Sequence, residues 1–386
     1  MDESKDLISK ILKITKRKKI GLHEPFFDKK DYLEVSRCVK SSFVSTYGQN
    51  VIKFEREIKK LTKSKFVIAT NSGTSALHIA LKASGVEANS NVILPTLSFV
   101  ATANSIIYNN ANPIFLDSNN DNFGLCENSL LDFLNTHTYL YKKKCYFKKN
   151  KKIISALIVA NIFGSMSNIE KILKISKKFS IPLIEDSAES VGCNYKGKHL
   201  GTFGSAGILS FNGNKIITSG SGGAILTNSK KIYQKAKHLC SVSKIPHKWN
   251  FLHDQLGWNY KINSLNAALG ISQIKKLNQI LLKKKKIKRN YQQVFYKNKY
   301  FDFIDYDKKK KFKSNYWLNV IKIRSKKNIR NKILDDLNMF GLQCRPVWKL
   351  LHTLPFYKKY YSHKIKNSYL LEKKLILIPS GPNIIR

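Results

Sequence analysis

The sequence predicts an α/β protein in which a mostly parallel central sheet is flanked by helices and followed by a smaller C-terminal α+β domain. Between about residues 65 and 230, short β-branched runs alternate with helical patterns, as they do in parallel α/β folds. The run 153–160 is almost continuously apolar, which is typical of a strand covered on both faces. After about residue 245 the pattern changes to long helical stretches with many lysines.

The elements of the large domain can be placed in chain order. Strands are predicted at 66–69, 91–94, 113–116, 153–160, 181–184 and 208–211. The first strand is followed by a turn and by a helix from about Ser75. Ser167 and Glu170 form a predicted capping box for a helix that runs to about Phe179.

The C-terminal part is predicted to form the smaller domain. A long helix is expected at 264–295, and strands at 316–323 and 342–347 bracket a helix at 327–340. The predicted division of the chain is an N-terminal arm (1–25), a large α/β domain (26–245) and a small α+β domain (246–386).

Composition and cysteine spacing favour a cytoplasmic protein. The 386 residues are 42% hydrophobic, which is enough for a packed core. The six cysteines lie far apart without a C-x-x-C pair, which suits reduced thiols and neither a metal site nor a disulfide framework. No apolar run approaches the roughly 20 residues that span a bilayer, and the lysine-rich start lacks a secretory signal. We therefore expect no metal and no membrane association.

The net charge is unusual, because 69 Lys and Arg residues against 25 Asp and Glu residues give a formal charge of +44. One interpretation is a surface that binds nucleic acid. The other is a lysine-rich composition spread over solvated faces, of which an anionic substrate would need only a few cations. The basic runs at 142–144, 148–152 and 283–286 carry no recognisable nucleic-acid motif. The sequence therefore favours the second interpretation and no nucleic-acid partner.

Four segments at predicted strand ends carry candidate chemistry, because ligands of open α/β sheets bind at the carboxyl ends of the strands. The first is 71–77, where Gly73 permits a tight turn and Thr74 adds a hydroxyl at a helix start. Free amides and the helix dipole at such a start favour a phosphate group. The same residues also make an ordinary helix N-cap, so alone they leave both interpretations open.

The second segment is 184–189, in which acidic residues follow a buried strand. Asp186 is costly to bury there unless it has a cationic partner. A protonated pyridine nitrogen is such a partner, and a carboxylate that keeps it protonated makes a pyridoxal phosphate (PLP) ring a better acceptor of electrons. The alternatives are that Asp186 caps a neighbouring loop and that Glu189, which is placed to bond near the ring, caps the next turn.

The third segment is 210–215, which follows another predicted strand. Lys215 stands there among small residues and away from the basic runs, at a position suited to a Schiff base. Its amine must be neutral part of the time to attack a carbonyl, and burial shifts the pKa of an amine in that direction. Only its position relative to Asp186 and Gly73 distinguishes Lys215 from the many other lysines.

The fourth segment, 95–104, contains the aromatic residue Phe99 near the start of a predicted helix. This ring is a candidate for stacking on a flat cofactor. Aromatic residues at such positions are more often core residues, so the segment carries weight only together with the other three.

Five ordered motifs then make a resemblance plain: S-G-T-S-A-L, S-F-V-A-T-A-N, E-D-S-A-E-S, S-F-N-G-N-K and G-W-N-Y-K-I-N-S-L-N-A-A-L-G. Together they resemble the DegT/DnrJ/EryC1/StrS sugar aminotransferases over about residues 22–380. That family has the fold of fold-type I PLP-dependent transferases, so the resemblance implies PLP as the cofactor.

The resemblance implies a role for each matching residue. It makes Lys215 the Schiff-base lysine, Asp186 the partner of the pyridine nitrogen, Phe99 the stacking aromatic residue, and Gly73, Thr74 and Ser210 phosphate ligands. It also implies that Asn259 reaches the phosphate of a neighbouring subunit. A homodimer with shared active sites follows from that implication.

A narrower resemblance connects 244–249, 315–319 and 345–348 with the branch that aminates UDP-linked 4-keto-6-deoxy-N-acetylhexosamines. It predicts amination of a nucleotide-linked 4-keto-6-deoxy sugar to the 4-amino sugar, with glutamate as donor, for surface glycan or nonulosonic acid biosynthesis. Arg345 and His352 are predicted near the substrate, whereas His247 and Trp249 are substrate-binding or merely structural.

Three alternatives remain at this point. The first is a GDP-linked 4-keto sugar as the substrate. The second is a PLP-dependent dehydratase, which the resemblance disfavours because such relatives carry histidine at the position of Lys215. The third is a basic binding protein that retains the fold without catalysis.

Overall fold

The computed structural model describes residues 2–15, 17–308 and 310–385. Its α-helices are α1 (Glu3–Thr15), α2 (Lys29–Lys40), α3 (Gln49–Thr62), α4 (Gly73–Ala83), α5 (Val100–Ile107), α6 (Glu127–His137), α7 (Ile169–Lys178), α8 (Lys230–Cys240), α9 (Ser264–Lys275), α10 (Leu277–Val294), α11 (Arg330–Phe340) and α12 (Asn367–Lys374). Its strands are β1 (Phe66–Thr70), β2 (Asn91–Pro95), β3 (Asn112–Leu116), β4 (Thr138–Tyr141), β5 (Lys144–Phe147), β6 (Ile154–Ala160), β7 (Leu183–Asp186), β8 (Asn194–Tyr195), β9 (Lys198–His199), β10 (Ala206–Ser210), β11 (Gly223–Thr227), β12 (Lys244–Ile245), β13 (Leu252–His253), β14 (Phe301–Phe303), β15 (Phe312–Lys313), β16 (Asn319–Ile323), β17 (Arg345–Pro346), β18 (Ser362–His363) and β19 (Leu375–Ile378).

An eight-stranded sheet in the order β1-β11-β10-β7-β6-β2-β3-β18 forms the centre of the molecule. The pairs from β10 through β7, β6, β2 and β3 to β18 are parallel. Strand β11 pairs antiparallel with both β1 and β10. The predicted α/β class with a mostly parallel sheet is therefore confirmed.

Strand β6 shows why the sheet is buried on both faces. All seven of its residues are buried, and successive side chains of a strand point to opposite faces. Leu157 and Val159 pack into the layer that includes α3, α7 and α9, whereas Ala156 and Ile158 pack into the layer of α4, α5 and α8. The helices on both sides hold the strand ends in fixed positions around one edge of the sheet.

A second, four-stranded sheet in the order β14-β16-β19-β17 follows the large sheet. The apolar residues of one face of this sheet share a cluster with side chains of α1, α10 and α11, including Leu7 and Ile11 of α1. The first 25 residues thus contain a helix that packs on the C-terminal sheet. The division into an arm and two domains stays a prediction.

Two predicted elements differ from the structure. The Ser167–Glu170 capping box is wrong, because α7 has Asn168 at its N-cap without a side-chain cap and the Ser167 hydroxyl donates to the Ala160 carbonyl. The long helix predicted at 264–295 is two helices that are separated at Lys276. Among the described residues, no helix combines the length and the apolar character that crossing a membrane takes.

One buried side chain in the α4 layer predicts how stability depends on pH. His78 lies in an aromatic cluster, with its ring centroid 4.9 Å from that of Trp258 and 5.8 Å from those of Tyr108 and Tyr260. Neither of its ring nitrogens has a hydrogen-bond partner among the described residues. Burial first, and then the charge of Lys82, lowers the pKa of His78 from 6.5 to about 4.

We expect a His78→Phe variant to be stabilised relative to the wild type, and more so in acid. Between pH 6.5 and pH 4 the unfolded chain binds a proton at His78 that the folded protein does not, so wild-type stability falls as the pH falls. Phenylalanine removes this dependence on pH. The free energy of unfolding of the variant should therefore exceed that of the wild type by a margin that grows by at most about 1.4 kcal/mol for each unit by which the pH falls. Urea unfolding at several pH values measures it, and a difference that does not vary with pH would contradict the prediction.

Candidate active site

A cavity of about 320 Å³, called the first cavity below, lies at the edge of the large sheet where the parallel strands end. Seven of the residues predicted for the site line it: Gly73, Thr74, Phe99, Asp186, Glu189, Ser210 and Lys215. They lie at or just after the ends of β1, β2, β7 and β10, which are far apart in sequence. The topology of the sheet therefore brings these residues together, as ligand sites in open α/β sheets require.

Lys215 is held in the first cavity between a carboxylate and an aromatic ring. Its Nζ lies 3.1 Å from Oε1 of Glu189 and 4.1 Å from the ring centroid of Trp317. Trp317 is itself fixed, because its Nε1 donates to the carbonyl of Asn214 at 2.7 Å. The amine is thus largely buried and oriented by two different groups.

Glu189 connects Lys215 to the backbone of a neighbouring loop. Its Oε2 accepts a hydrogen bond from the backbone N–H of Phe163 at 2.7 Å. Burial raises the pKa of the Glu189 carboxyl, and the positive charge of Lys215 is the largest effect that opposes this shift. The Lys215 amine therefore favours the charged form of Glu189 in a place where an isolated carboxylate would be costly.

Asp186 is the last residue of β7 and presents its carboxylate to the same cavity. Its Oδ2 accepts from the Thr102 hydroxyl at 2.7 Å and its Oδ1 from the Ala188 N–H at 3.3 Å. Burial raises the pKa of Asp186, while these two hydrogen bonds and the charge of Lys215 lower it. A cation placed against this carboxylate would be stabilised.

The start of α4 forms a compact turn beside Ser210. Ser72 caps the helix, since its hydroxyl accepts from the N–H of Ser75 at 3.0 Å. A Cβ atom at Gly73 would lie 2.9 Å from Cβ of Ser210, so the close approach requires glycine. The first N–H groups of a helix have no partner within it, which makes this turn a place for an anion. Together with Lys215 and the Asp186 carboxylate, it fits the phosphate, carbonyl and ring nitrogen of PLP.

Phe99 lies at the rim of the first cavity. It is 50% exposed, so it is not a core residue, and its ring centroid lies 5.8 Å from that of Trp348. An exposed ring at this position is available to a flat ligand. Its stacking role stays a prediction.

The other three predicted residues do not line the first cavity. Asn259 is exposed, and its backbone carbonyl accepts from Nδ2 of Asn71 at 3.4 Å. Asn259 is predicted to contact the phosphate that a neighbouring subunit binds, and this contact stays a prediction. Arg345 lines a second cavity of about 590 Å³, which shares Asn214, Trp317 and Trp348 with the first.

His352 lies outside the lining of both cavities. Its Nδ1 is 2.6 Å from Oγ1 of Thr96, and its Nε2 is 2.9 Å from the hydroxyl oxygen of Tyr369. Burial is the first cause that lowers the pKa of His352. Both ring nitrogens are thus engaged within the chain, and the predicted substrate contact stays a prediction.

Sequence reasoning missed several residues of the site. Trp317 and Trp348 occur in the motifs N-Y-W-L-N and R-P-V-W, yet no role could be assigned to either ring. Thr102 follows Phe99 by three residues and Ser98 by four, and its hydroxyl lies 2.7 Å from that of Ser98. This spacing was the available signal that Thr102 lies near the predicted site. Within residues 2–15, 17–308 and 310–385, no group of three or more His, Cys, Asp or Glu side chains is arranged to hold a metal ion.

A family model and two relatives match this chain in sequence over nearly its whole length. The model of the DegT/DnrJ/EryC1/StrS aminotransferase family matches residues 25–386. GDP-perosamine synthase of Escherichia coli O157:H7 is 30% identical over 372 residues, which is 95% of this chain and 94% of the relative. The UDP-4-amino-4,6-dideoxy-N-acetyl-beta-L-altrosamine transaminase of Campylobacter jejuni is 30% identical over 355 residues, with 91% and 90% covered.

A solved structure has the same fold over nearly the whole chain. PseC of Helicobacter pylori, an aminotransferase involved in the biosynthesis of pseudoaminic acid, superposes with a TM-score of 0.86 and 25% identity, with 95% of this chain and 94% of PseC covered. The predictions of a sugar aminotransferase and of PLP as its cofactor are confirmed. The chain belongs to the DegT/DnrJ/EryC1/StrS family of PLP-dependent aminotransferases.

Proposed function

We propose that this enzyme transfers the amino group of glutamate to the C4 ketone of a UDP-linked 4-keto-6-deoxy-N-acetylhexosamine. The observation that carries the proposal is the position of Lys215, whose Nζ lies 3.1 Å from Glu189 in the cavity that Asp186 also lines. The Campylobacter transaminase, whose name specifies a UDP-linked N-acetyl amino sugar, supports this class of substrate.

In the proposed mechanism each residue of the first cavity has one task. PLP, when bound, supplies a carbonyl that exchanges oxygen for an amino group and a ring that accepts an electron pair. Lys215 holds the cofactor through Nζ and then moves the proton at Cα of the donor as general base and acid. Glu189 orients Nζ, and Asp186 holds the proton on the pyridine nitrogen.

The second half-reaction reverses the first, with the keto-sugar in the place of the 2-oxo acid. Glutamate gives up its amino group and leaves as the 2-oxo acid, whose new oxygen comes from one molecule of water. The sugar ketone takes the amino group and its oxygen leaves as one molecule of water, so the two half-reactions together consume no water. Lys215 Nζ then returns the proton to C4 of the sugar. The turn at Gly73 and Ser210 binds the phosphate and keeps the cofactor in place through both halves.

A homodimer with shared active sites is part of the proposal. The segment between α8 and Asn259 exposes large apolar side chains, among them Trp249 at 70%, Phe251 at 80% and Leu256 at 81%. Exposed apolar residues in one segment are typical of a surface that another chain covers. Asn259 directly follows this segment, which supports its proposed contact with the phosphate of the second subunit. We further propose a cytoplasmic location.

A GDP-linked 4-keto sugar is the second candidate substrate, because GDP-perosamine synthase of Escherichia coli is as similar in sequence as the UDP-type transaminase. The proposed substrate contacts of Arg345 and His352 do not distinguish the two nucleotides. The two candidate substrates differ in the nucleotide base and in the N-acetyl group of the sugar.

The test is a panel of UDP- and GDP-linked 4-keto sugars, each assayed with glutamate and with alanine as amino donors. We expect the UDP-linked N-acetyl sugars to react with a kcat/KM at least about tenfold above that of the GDP-linked sugars, equivalent to about 1.4 kcal/mol. Mass spectrometry of the sugar product detects the exchange of oxygen for an amino group. Faster reaction of the GDP-linked sugars would favour the second candidate, and loss of a sugar oxygen without gain of nitrogen would indicate dehydration instead.

A further inference from the structure

The second cavity contains a buried histidine that the proposed mechanism does not use. His23 lines this cavity, is 8% exposed and has no hydrogen-bond partner at either ring nitrogen among the described residues. Buried polar groups in proteins nearly always have partners, so an unpartnered imidazole beside a cavity requires an explanation. A ligand in the cavity would provide one.

The loop that carries His23 is fixed on both sides. The backbone carbonyl of Leu22 accepts from the N–H of Ser380 at 2.7 Å, and the carbonyl of Pro25 accepts from Nδ2 of Asn383 at 3.0 Å. Because these bonds hold the backbone of the loop, the position of the imidazole does not depend on a flexible segment.

His23 is also close to the reacting centre. Its ring centroid lies 6.2 Å from that of Trp317. The Lys215 amine lies 4.1 Å from the centroid of the same tryptophan ring. Lys284, which is fully buried in α10, donates to the carbonyls of Trp317 and Ser380. Lys284 thereby connects Trp317 to Ser380, whose N–H donates to the loop that carries His23.

The charges around His23 decide which form of the ring is present. Burial first, and then the charges of Lys284 and Lys215, lower the pKa of His23 well below its usual value. The nearby backbone of His23 and Asn214 opposes this shift, although neither residue makes a hydrogen bond of normal geometry to the ring. The same cavity is also lined by the charged side chains of Glu24, Arg330, Arg345, Lys349 and Glu372. At neutral pH the ring is therefore uncharged, with one N–H donor and one acceptor nitrogen.

We propose that His23 is a specificity-determining residue that binds a hydroxyl group of the keto-sugar ring. A hydroxyl both donates and accepts, which matches a neutral imidazole, whereas the carboxylates of glutamate and the phosphates of a nucleotide call for a cation. Trp317 and Trp348 line both cavities and offer aromatic faces to the apolar side of a sugar ring. This proposal rests on the proposed amination of a nucleotide-linked keto-sugar.

Two variants at the same position separate hydrogen bonding from packing. His23→Phe keeps a ring and removes both polar atoms, whereas His23→Gln keeps a donor and an acceptor. We expect the Phe variant to raise KM for the keto-sugar roughly tenfold, and the Gln variant to raise it by less than about threefold. His78→Phe is the matched control, since His78 is equally buried and unpartnered but lines neither cavity, and it should leave KM unchanged.

Three further measurements distinguish a substrate contact from a structural role. The half-reaction with glutamate alone, followed by the absorbance of the cofactor, should be unchanged in both His23 variants. Isothermal titration of the cofactor-free protein with the keto-sugar nucleotide should show the same loss of affinity as KM for His23→Phe. The unfolding midpoint of that variant should equal or exceed the wild-type value, because an apolar ring replaces an unpartnered polar one.

The outcomes separate this proposal from the proposed function. Equal KM and affinity in the wild type and in His23→Phe would overturn the role of His23 while leaving amination intact. An equal loss in the Phe and Gln variants, or a slower glutamate half-reaction, would overturn it as well. A wild-type protein that aminates no keto-sugar, yet completes the glutamate half-reaction, would overturn the proposed function itself.

Discussion

A Lys215→Ala variant is expected to lose turnover by at least roughly 10⁴-fold while keeping its fold. General acid–base transfer by a positioned side chain contributes about 10²–10⁴-fold, and loss of the covalent hold on the cofactor adds to this. The Lys215 amine is also the group that Glu189 and Trp317 orient in the first cavity. No other lysine lines that cavity among the described residues.

Two readouts and two companion variants test this expectation. Borohydride treatment of the PLP-loaded wild type should leave the cofactor mass on the peptide that contains Lys215, and the alanine variant should carry none. Lys215→Arg keeps a positive charge near Glu189 without a nucleophilic amine and should be equally inactive. Lys230→Ala, at an exposed position on α8, should behave as the wild type. Turnover of the Lys215→Ala variant within about tenfold of the wild-type rate would refute the assignment.

The part of the site that the sequence predicted is the part that strand topology determines. Asp186 ends a strand and Lys215 and Gly73 follow one, and parallel strands end at the same edge of a sheet. Their proximity was therefore a consequence of a correct strand assignment. The fold class required no more than the alternation of apolar runs and helical patterns.

The contact of His23 with Trp317 and the position of Lys284 behind that tryptophan were not predictable, for a physical reason. His23 comes from a loop before α2, Trp317 precedes β16 and Lys284 lies within α10, so only tertiary packing brings them together. No local pattern marks such a residue, since a histidine in a loop and a lysine in a basic helix look ordinary in sequence. Their burial is visible only in the structure.

Two local errors have a similar origin. The break between α9 and α10 falls at Lys276, a buried lysine whose Nζ pairs with Asp28 at 3.2 Å and with Asp31. Helical periodicity continues through this position, so the sequence gives no sign of the break. At α7, the Ser167 hydroxyl bonds to the end of β6 instead of the helix, because a tertiary acceptor competes with the local one.

The second large effect is expected at Asp186. Asp186→Asn keeps the shape of the side chain but removes the charge that, in the proposed mechanism, holds the proton on the pyridine nitrogen. We therefore expect kcat to fall by about 10²–10³-fold, the size of the loss of one preorganised electrostatic contact. Burial raises the pKa of Asp186 in the chain alone, so its ionised form at neutral pH costs folding free energy. The cofactor-free Asn variant should therefore be more stable than the wild type at pH 7.

The neighbouring carboxylate is the matched control, because adjacent residues of a strand point to opposite faces. Glu185 accepts backbone N–H bonds from Gly201 at 2.8 Å, Phe203 at 2.6 Å and Gly204 at 2.8 Å, and it does not line the first cavity. Burial raises the pKa of Glu185 as well, but the NH2 group of glutamine would face N–H donors that both carboxylate oxygens now accept. Glu185→Gln should therefore lower the free energy of unfolding by about 1–3 kcal/mol and leave kcat within about twofold. Denaturant unfolding and steady-state kinetics on both variants decide the matter. If Glu185→Gln lost activity and Asp186→Asn kept it, the carboxylate that serves the cofactor would be the other one.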